Sequence, residues 1–417
     1  MQGKQRLEWL DAMRGFTMIL VVAYHVGQMC FGMNLKTSTS MPFIVLFRMP
    51  LFFFVSGFLA WKADMIWTRN RLGTMIWKKF KIQVIPTIVF LTVCLVVRAK
   101  EFWPAMERAM ASPTKSGYWF TWALLIMFVI YYVFAYFEQK IQGTPTAKAP
   151  LQLPRGGEKS PLPASPKPPS NSPEGEGCHP DGNASHSTLH ASHSTLHASH
   201  STLHASRSNT QGGWGILVLW LVSIIIYETA FMPKYFKYPG SAFMRYSSLI
   251  EVVYYFQFFL FGNVVHRYWD KVERLFDSRW FFPVVTVIAF VCAADVLKWH
   301  TLRLMWVNLP RTVAMYALML MVVMFFRYYK DSVSKETVMG RGLQYIGVRT
   351  LDIYLLHFIL MPRLKMVGPW LDSMHPNFIL EVVMTVSVAL VVIVFCCLAS
   401  NILRVSPFFK KYLFGRK

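Results

Sequence analysis

The chain has 417 residues, 54% of them hydrophobic and 16% aromatic, with a mean hydropathy of +0.36, too apolar for a soluble domain of this length. Its 43 Lys and Arg against 21 Asp and Glu give a formal net charge of +22. Nucleic-acid binding would concentrate such charge on a basic soluble module, and the sequence holds none, so composition points to a polytopic membrane protein whose basic excess reflects topology.

Apolar runs of the roughly 17 to 25 residues that cross a bilayer lie at 11–33, 42–61, 79–97, 118–137, 214–232, 247–266, 281–299, 309–326, 343–362 and 378–402. The expected fold class is all-α, a polytopic membrane helical bundle of about ten transmembrane helices, because a helix satisfies its own backbone in lipid. An even number of spans puts both termini on one side. Six Lys and Arg between Lys62 and Lys81 mark that side as cytoplasmic by the positive-inside rule. Asp11 and Arg14 interrupt the first run and no small-residue cleavage site follows it, so this span is expected to be retained. The six cysteines show no spacing of a disulfide framework or a metal site.

Between 139 and 213 the apolar pattern stops and Pro, Ser, Gly and His take over. Such a stretch buries too little apolar surface to order itself, so a disordered cytoplasmic linker is expected. It ends in three copies of HSTLHAS, from His186 to Ser206. Their identity suits a tandem duplication under little structural constraint; transition-metal binding by the histidines is the alternative. The expected organisation is a first membrane half at 1–138 with four spans and a second at 214–417 with six. Together they make one bundle.

The first run carries Arg14 and His25 with ten residues between them. Eleven steps of about 100° return a helix to within roughly 20° of its start, so both side chains share one face about 16 Å apart along the axis. A charged residue at a span's centre costs roughly 2.5 to 3.5 kcal/mol on insertion scales, which calls for a compensating role. That role is chemistry or helix-to-helix bonding.

Leu10-Asp11-Ala12-Met13-Arg14-Gly15, then Tyr24-His25, then the second-span run from Phe47 through Arg48, Pro50 and Ser56-Gly57 to Phe58 form a linked pattern. It resembles the acyltransferase 3 family of integral membrane acyltransferases, whose first span carries an Arg and a His at this spacing. Tyr118-Trp119-Phe120, Phe258-Phe259-Leu260-Phe261-Gly262 and Tyr354-Leu355-Leu356-His357 continue the resemblance into both halves and skip the linker. The family commonly has two arginines three apart where the third span begins. Here Lys78 and Lys81 stand instead, keeping the charge but losing the bidentate fork of arginine.

The resemblance implies transfer of an acyl group, most often acetyl, from a cytoplasmic acyl-CoA such as acetyl-CoA to a hydroxyl of a cell-surface or lipid-linked glycan. It also implies a multi-pass location in a cell membrane, a bacterial inner membrane being expected. His25 suits the general base, since a sugar hydroxyl is a poor nucleophile and a histidine can take its proton. Arg14, Arg48, Lys78 and Lys81 are the expected contacts for the acyl-CoA donor. Asp11, one turn before Arg14, is expected to orient it or to form an i, i+3 pair with it. Tyr24, Glu251 and His357 are expected to line the acceptor side, and Asp352 to pair with Arg349 one turn earlier. Ser56 offers a covalent relay, although Ser-Gly pairs more often permit close helix packing. No metal and no nucleic-acid partner are expected, and the oligomeric state is not legible. A transporter, or a glycan-export accessory protein without acyl transfer, is the rival reading; the two halves show no internal similarity that would favour transport.

Overall fold

The structure, a computed structural model, describes residues 7–62, 65–142, 214–230, 242–299, 309–374, 377–407 and 409. All belong to one compact unit drawn from Met1–Gln142 and Gly212–Lys417. The repeats, and the expected linker beyond Gln142, lie outside the described residues.

In chain order the helices are α1 Glu8–His25, continued by a π-helical turn Val26–Phe31, α2 Ser40–Ala60, α3 Arg69–Arg98, α4 Phe102–Ala111 and α5 Trp119–Gln142. After the undescribed segment come α6 Gly215–Ala230, α7 Ala242–Ser247, α8 Leu249–Arg267, α9 Trp269–Phe276 and α10 Phe281–Ala294. The last are α11 Leu309–Tyr328, α12 Val338–Val348, α13 Thr350–Leu360, α14 Val367–Ser373 and α15 Phe378–Leu403. Among the described residues six helices (α2, α3, α5, α8, α11 and α15) are long and apolar enough to cross a membrane, seven if α9 and α10, bent by 82° at their junction, make one span.

All ten apolar runs contain helix, yet among the described residues only six or seven make long apolar helices. Charges at Glu8, Asp11 and Arg14 interrupt α1, and α6 has only 16 residues. The run at 343–362 breaks at Arg349, which separates α12 from α13. At the linker boundary, α5 continues to Gln142 because Gln139 is held: its Oε1 accepts from the backbone N–H of Trp67 at 2.7 Å.

Two close helix contacts close the bundle. A Cβ on Gly57 of α2 would lie 1.7 Å from the Phe259 carbonyl oxygen of α8, and one on Gly262 would lie 2.0 Å from that of Phe54. Gly15 of α1 and Gly347 of α12 are reciprocal in the same way, each 1.9 Å from a carbonyl oxygen of the other helix, Leu343 and Asp11 respectively. Lipid gives apolar helices little reason to associate, so close backbone approach through small residues supplies the van der Waals contact that does. Ser56 turns back on its own helix and donates to Phe52 O at 3.0 Å, leaving the Ser-Gly pair a packing element.

Charged groups tie the helix ends. Arg267 grips Glu138 with two bonds of 2.8 and 2.7 Å and stacks on Trp61, joining α8 to α5. Asp352 accepts from Ser400 Oγ of α15 at 2.8 Å and pairs with Arg404, the residue that caps the C-terminus of α15. The expected Arg349 partner is instead placed over the Tyr345 ring at 3.8 Å. The break between α12 and α13 lifts Arg349 out of the helical i, i+3 geometry that the pairing required. Glu381, in the first turn of α15, accepts from the hydroxyls and backbone N–H groups around Ser38, Thr39 and Ser40 and so caps the start of α2.

Gly57→Ala is expected to destabilise the protein in detergent by about 1 to 3 kcal/mol or more, since backbone must move to admit the methyl. Gly73→Ala, on an open face of α3 with nothing within 4 Å, is expected to stabilise it by roughly 0.5 to 1 kcal/mol through helix propensity. Thermal unfolding of the two variants checks both signs.

Candidate active site

α1 carries two separate polar groupings. Near its start, Arg14 Nη1 bonds Asp11 Oδ1 at 3.1 Å and Nη2 bonds Thr350 Oγ1, the first residue of α13, at 3.2 Å. The side chain keeps 24% exposure, so it reaches the edge of the bundle while held from two sides. Arg14, Lys62 and Lys78 all lie within electrostatic range of Lys79, whose ammonium sits 3.5 Å above the Phe128 ring. These four cations form a basic cluster at the end where α1 and α3 begin.

The sequence pattern pointed to Lys78 and Lys81, and α3 presents its lysines differently. Lys81 is exposed with its ammonium 5.7 Å from the centroid of Trp77, and Lys78 is exposed beside the cluster. Lys79 is the residue turned toward α5. Helical phase decides this, because successive residues are about 100° apart and only one of the neighbouring pair can face inward.

The second grouping gathers at the far end of α1. His25 is the last α-helical residue before the π-helical turn, further from the helix centre than its place in the apolar run implied. Such turns often occur at functional sites, where they re-aim side chains. The Tyr24 ring lies 5.4 Å from that of His25, and the Arg48 guanidinium carbon rests 3.5 Å above the centre of Tyr24. Arg48 thus joins the histidine end of α1 and stands apart from Arg14.

His357 is fully buried with its ring 5.3 Å from that of His25. Its Nδ1 lies 3.1 Å from the Ile353 carbonyl, which can only accept, so that nitrogen carries the proton and Nε2 presents a lone pair. Buried His25 Nδ1, His357 Nε2 and Arg48 Nε all lack hydrogen-bond partners. Polar atoms of this kind are usually satisfied, and three in one place mark a region built to meet something else.

A cavity of about 20 Å³, room for about one water-sized group, opens among these side chains. Val21, His25, Arg48, Met49 and Phe52 line it from α1 and α2, and Gly117, Trp119, Phe120 and Tyr354 from the opposite side. The Tyr-Trp-Phe and Tyr-Leu-Leu-His segments interlock to build that opposite wall. Tyr354 Oη donates to Gly117 O at 2.8 Å and accepts from Phe120 N–H at 3.3 Å, while Tyr118 Oη donates to Leu355 O at 2.9 Å. Trp119, Tyr255 and Phe53 stack in sequence with centroid spacings of 5.6 and 5.1 Å. Gly117, Tyr354 and this aromatic stack were absent from the residues singled out by chemistry. For Tyr354, Trp119 and Phe53 the signal was only motif order, because aromatic runs are common in membrane spans, and Gly117 and Tyr255 lie outside the quoted motifs.

The wall rests on a strained turn. Lys115, Ser116 and Gly117 have φ of 46°, 53° and 97°. Lys115 folds inward, donating to Tyr246 O at 2.9 Å and Met110 O at 3.3 Å. Burial pushes its ammonium below the ordinary lysine value, and the Glu251 carboxylate opposes that shift. Glu251 stands one helical turn before Tyr255, at the flank of the aromatic stack rather than in the cavity lining.

Arg48 is the costliest group in the arrangement. It is 9% exposed and, among the described residues, has no carboxylate partner. Burying one ion costs several kcal/mol even after relaxation, whereas a desolvated cation–π contact returns about 2 kcal/mol. The deficit is carried by the fold.

Residues 7–147, which include α1 through α5, match the family described as Acyltransferase domain, the acyltransferase 3 family. The match covers less than half of the chain, its N-terminal region, and makes that region similar to membrane acyltransferases. No curated protein and no solved structure matches the chain. Among the described residues no group of three or more His, Cys, Asp and Glu is placed to hold a metal ion.

Gly117→Ala is expected to cost more stability than Gly32→Ala. Both positions have positive φ, worth about 1 to 2 kcal/mol against any side chain. At Gly117 a Cβ would also lie 2.1 Å from the Phe358 ring, whereas at Gly32 nothing lies within 4 Å. Unfolding midpoints of the two single variants in one detergent give the comparison.

Proposed function

We propose that this protein moves an acyl group, most simply acetyl from acetyl-CoA, to a hydroxyl of a cell-surface or lipid-linked glycan. The observation that carries this reading is the division of α1: a basic cluster at one end and a histidine-lined cavity at the other, about 16 Å apart along one helix. The cluster suits the phosphates of a CoA donor and the cavity suits the thioester. Arg14, oriented by Asp11, and Lys78 and Lys79 bind the donor's anionic part, with Lys81 at the periphery. Arg48 meets the donor further in. His25 takes the proton of the acceptor hydroxyl, and Tyr24, Glu251 and His357 shape its surroundings.

In this reading residues 1–138 and 214–417 form one acyltransferase domain, and the segment between them stands outside it. Both termini and the basic cluster face the cytoplasm, where acyl-CoA is found, and the cavity opens toward the opposite side of a bacterial inner membrane. The positive-inside bias of the 62–81 tract supports that orientation.

His25→Ala, correctly inserted, is expected to abolish acylation while the unmodified glycan still reaches the surface; mass spectrometry of surface glycans reads both. Loss of glycan delivery with intact acylation would instead mean a transporter. On the donor side, Lys79→Gln is expected to raise KM for acetyl-CoA about tenfold or more, the worth of one charge-assisted bond. Lys81→Gln is expected to leave it near the wild-type value, as steady-state kinetics on membranes would show.

A further inference from the structure

Arg48 is a buried guanidinium, 9% exposed, with no carboxylate partner among the described residues and with its Nε unpartnered. It lines the same cavity as His25 and is close enough to act on it electrostatically. The contact that fixes it is stacking: the guanidinium carbon lies 3.5 Å above the Tyr24 ring. Stacking uses the flat face of the group and leaves the N–H donors along its edge available. Met49, Phe52 and Val21 surround the cavity with apolar surface, which strengthens any charge interaction made there.

A donor of this kind, rigid, dehydrated and unsatisfied, is matched to a negative charge that is absent from the resting protein. We infer that Arg48 is a catalytic residue: its N–H donors hold the oxyanion formed on the thioester carbonyl during acyl transfer. The inference rests on the acyl-transfer reading above and assigns one atom-level step within it. The acceptor oxygen forms a bond to the carbonyl carbon as its proton passes to a nitrogen of His25. The carbonyl π pair moves onto its oxygen, which Arg48 receives. When the pair returns, the C–S bond breaks and the departing thiolate takes the proton from His25. Atoms and charges balance with no further reactant.

The geometry favours this over a resting site for a phosphate. The basic cluster around Lys79 already offers four cations at the other end of α1. A cavity with room for about one water-sized group admits a carbonyl oxygen far more readily than a phosphate. Preorganised donors aimed at charge that develops only during reaction act on turnover and hardly on ground-state binding.

The test compares wild type, Arg48→Lys and Arg48→Met in membranes, with acetyl-CoA as donor and a cell-envelope glycan fraction as acceptor. The readouts are release of the CoA thiol and equilibrium binding of acetyl-CoA. Arg48→Met is expected to lose about 10²- to 10³-fold in kcat, with KM and Kd for acetyl-CoA close to wild type. Arg48→Lys, which keeps a cation and loses the fork, is expected to fall between. Should Arg48→Met fail to fold, Arg48→Gln carries the same expectation. A variant with wild-type kcat, or one whose only defect is weaker acetyl-CoA binding, would overturn the oxyanion role and leave the acyltransferase reading standing. No thiol release by wild type would sink that reading and this step together.

Discussion

The separation between α1 and α12, and between α2 and α8, is set where each helix meets a backbone carbonyl of its partner across a glycine. In lipid there is no hydrophobic gain from pressing apolar helices together, so shape at contact has to supply the association. Gly15 and Gly347 bring α1 onto α12 and Gly57 and Gly262 bring α2 onto α8, each pair leaving no space for a methyl group. Once those distances are fixed, the facing sides of α1 and α2 have a defined gap. Tyr24 and Arg48 fill it by stacking, and the cavity beside them is what α5 and α13 leave open. The glycines embedded in the motif segments are therefore part of how the site is held, although none carries chemistry.

Much of this was legible in the sequence and some was not, for physical reasons. The Arg14 to His25 spacing translates directly because a regular helix fixes both angle and rise, and α1 is regular across that interval. Asp11 pairs with Arg14 as i, i+3 geometry allows. The inward turn of Lys79 was not legible because a cluster of lysines at a helix start has charge in every direction, and which one turns inward depends on where α5 lies. Asp352 failed differently. Local spacing offered Arg349, but the helix breaks at Arg349 and Arg404 arrives from the C-terminal cap of α15. The expected ten spans stand as six or seven long apolar helices among the described residues on similar grounds: hydropathy registers apolar length, and neither a break at Arg349 nor the 82° bend before Phe281 changes a mean.

The two ends of α1 solve the problem of charge in a membrane in opposite ways. At the start, Arg14 has a carboxylate and a hydroxyl for partners and retains partial exposure, so its charge is largely compensated in the resting state. At the far end, Arg48 has an aromatic face and unsatisfied donors. A group already compensated gains little from a new anion, whereas an uncompensated one gains a great deal. The first suits reversible capture of a ligand, because binding that is too strong would only deepen the ground state.

Keeping Arg48 uncompensated requires that nearby positive potential not add to its cost. α2 begins at Ser40, two turns before Arg48, and an uncapped helix start carries about half a positive charge. Glu381 meets that start directly, receiving the backbone N–H groups of Thr39 and Ser40 and the hydroxyls of Ser38 and Ser40. Its negative charge is thus spent on the helix end, outside the cavity, where it offsets the dipole without forming a salt bridge that would silence the guanidinium. A carboxylate placed within the cavity would have stabilised the resting protein more and compensated the guanidinium that lines it. The placement of Glu381 at the head of α2, and of no acid beside Arg48 among the described residues, is one electrostatic arrangement that keeps α2 stable and Arg48 unsatisfied.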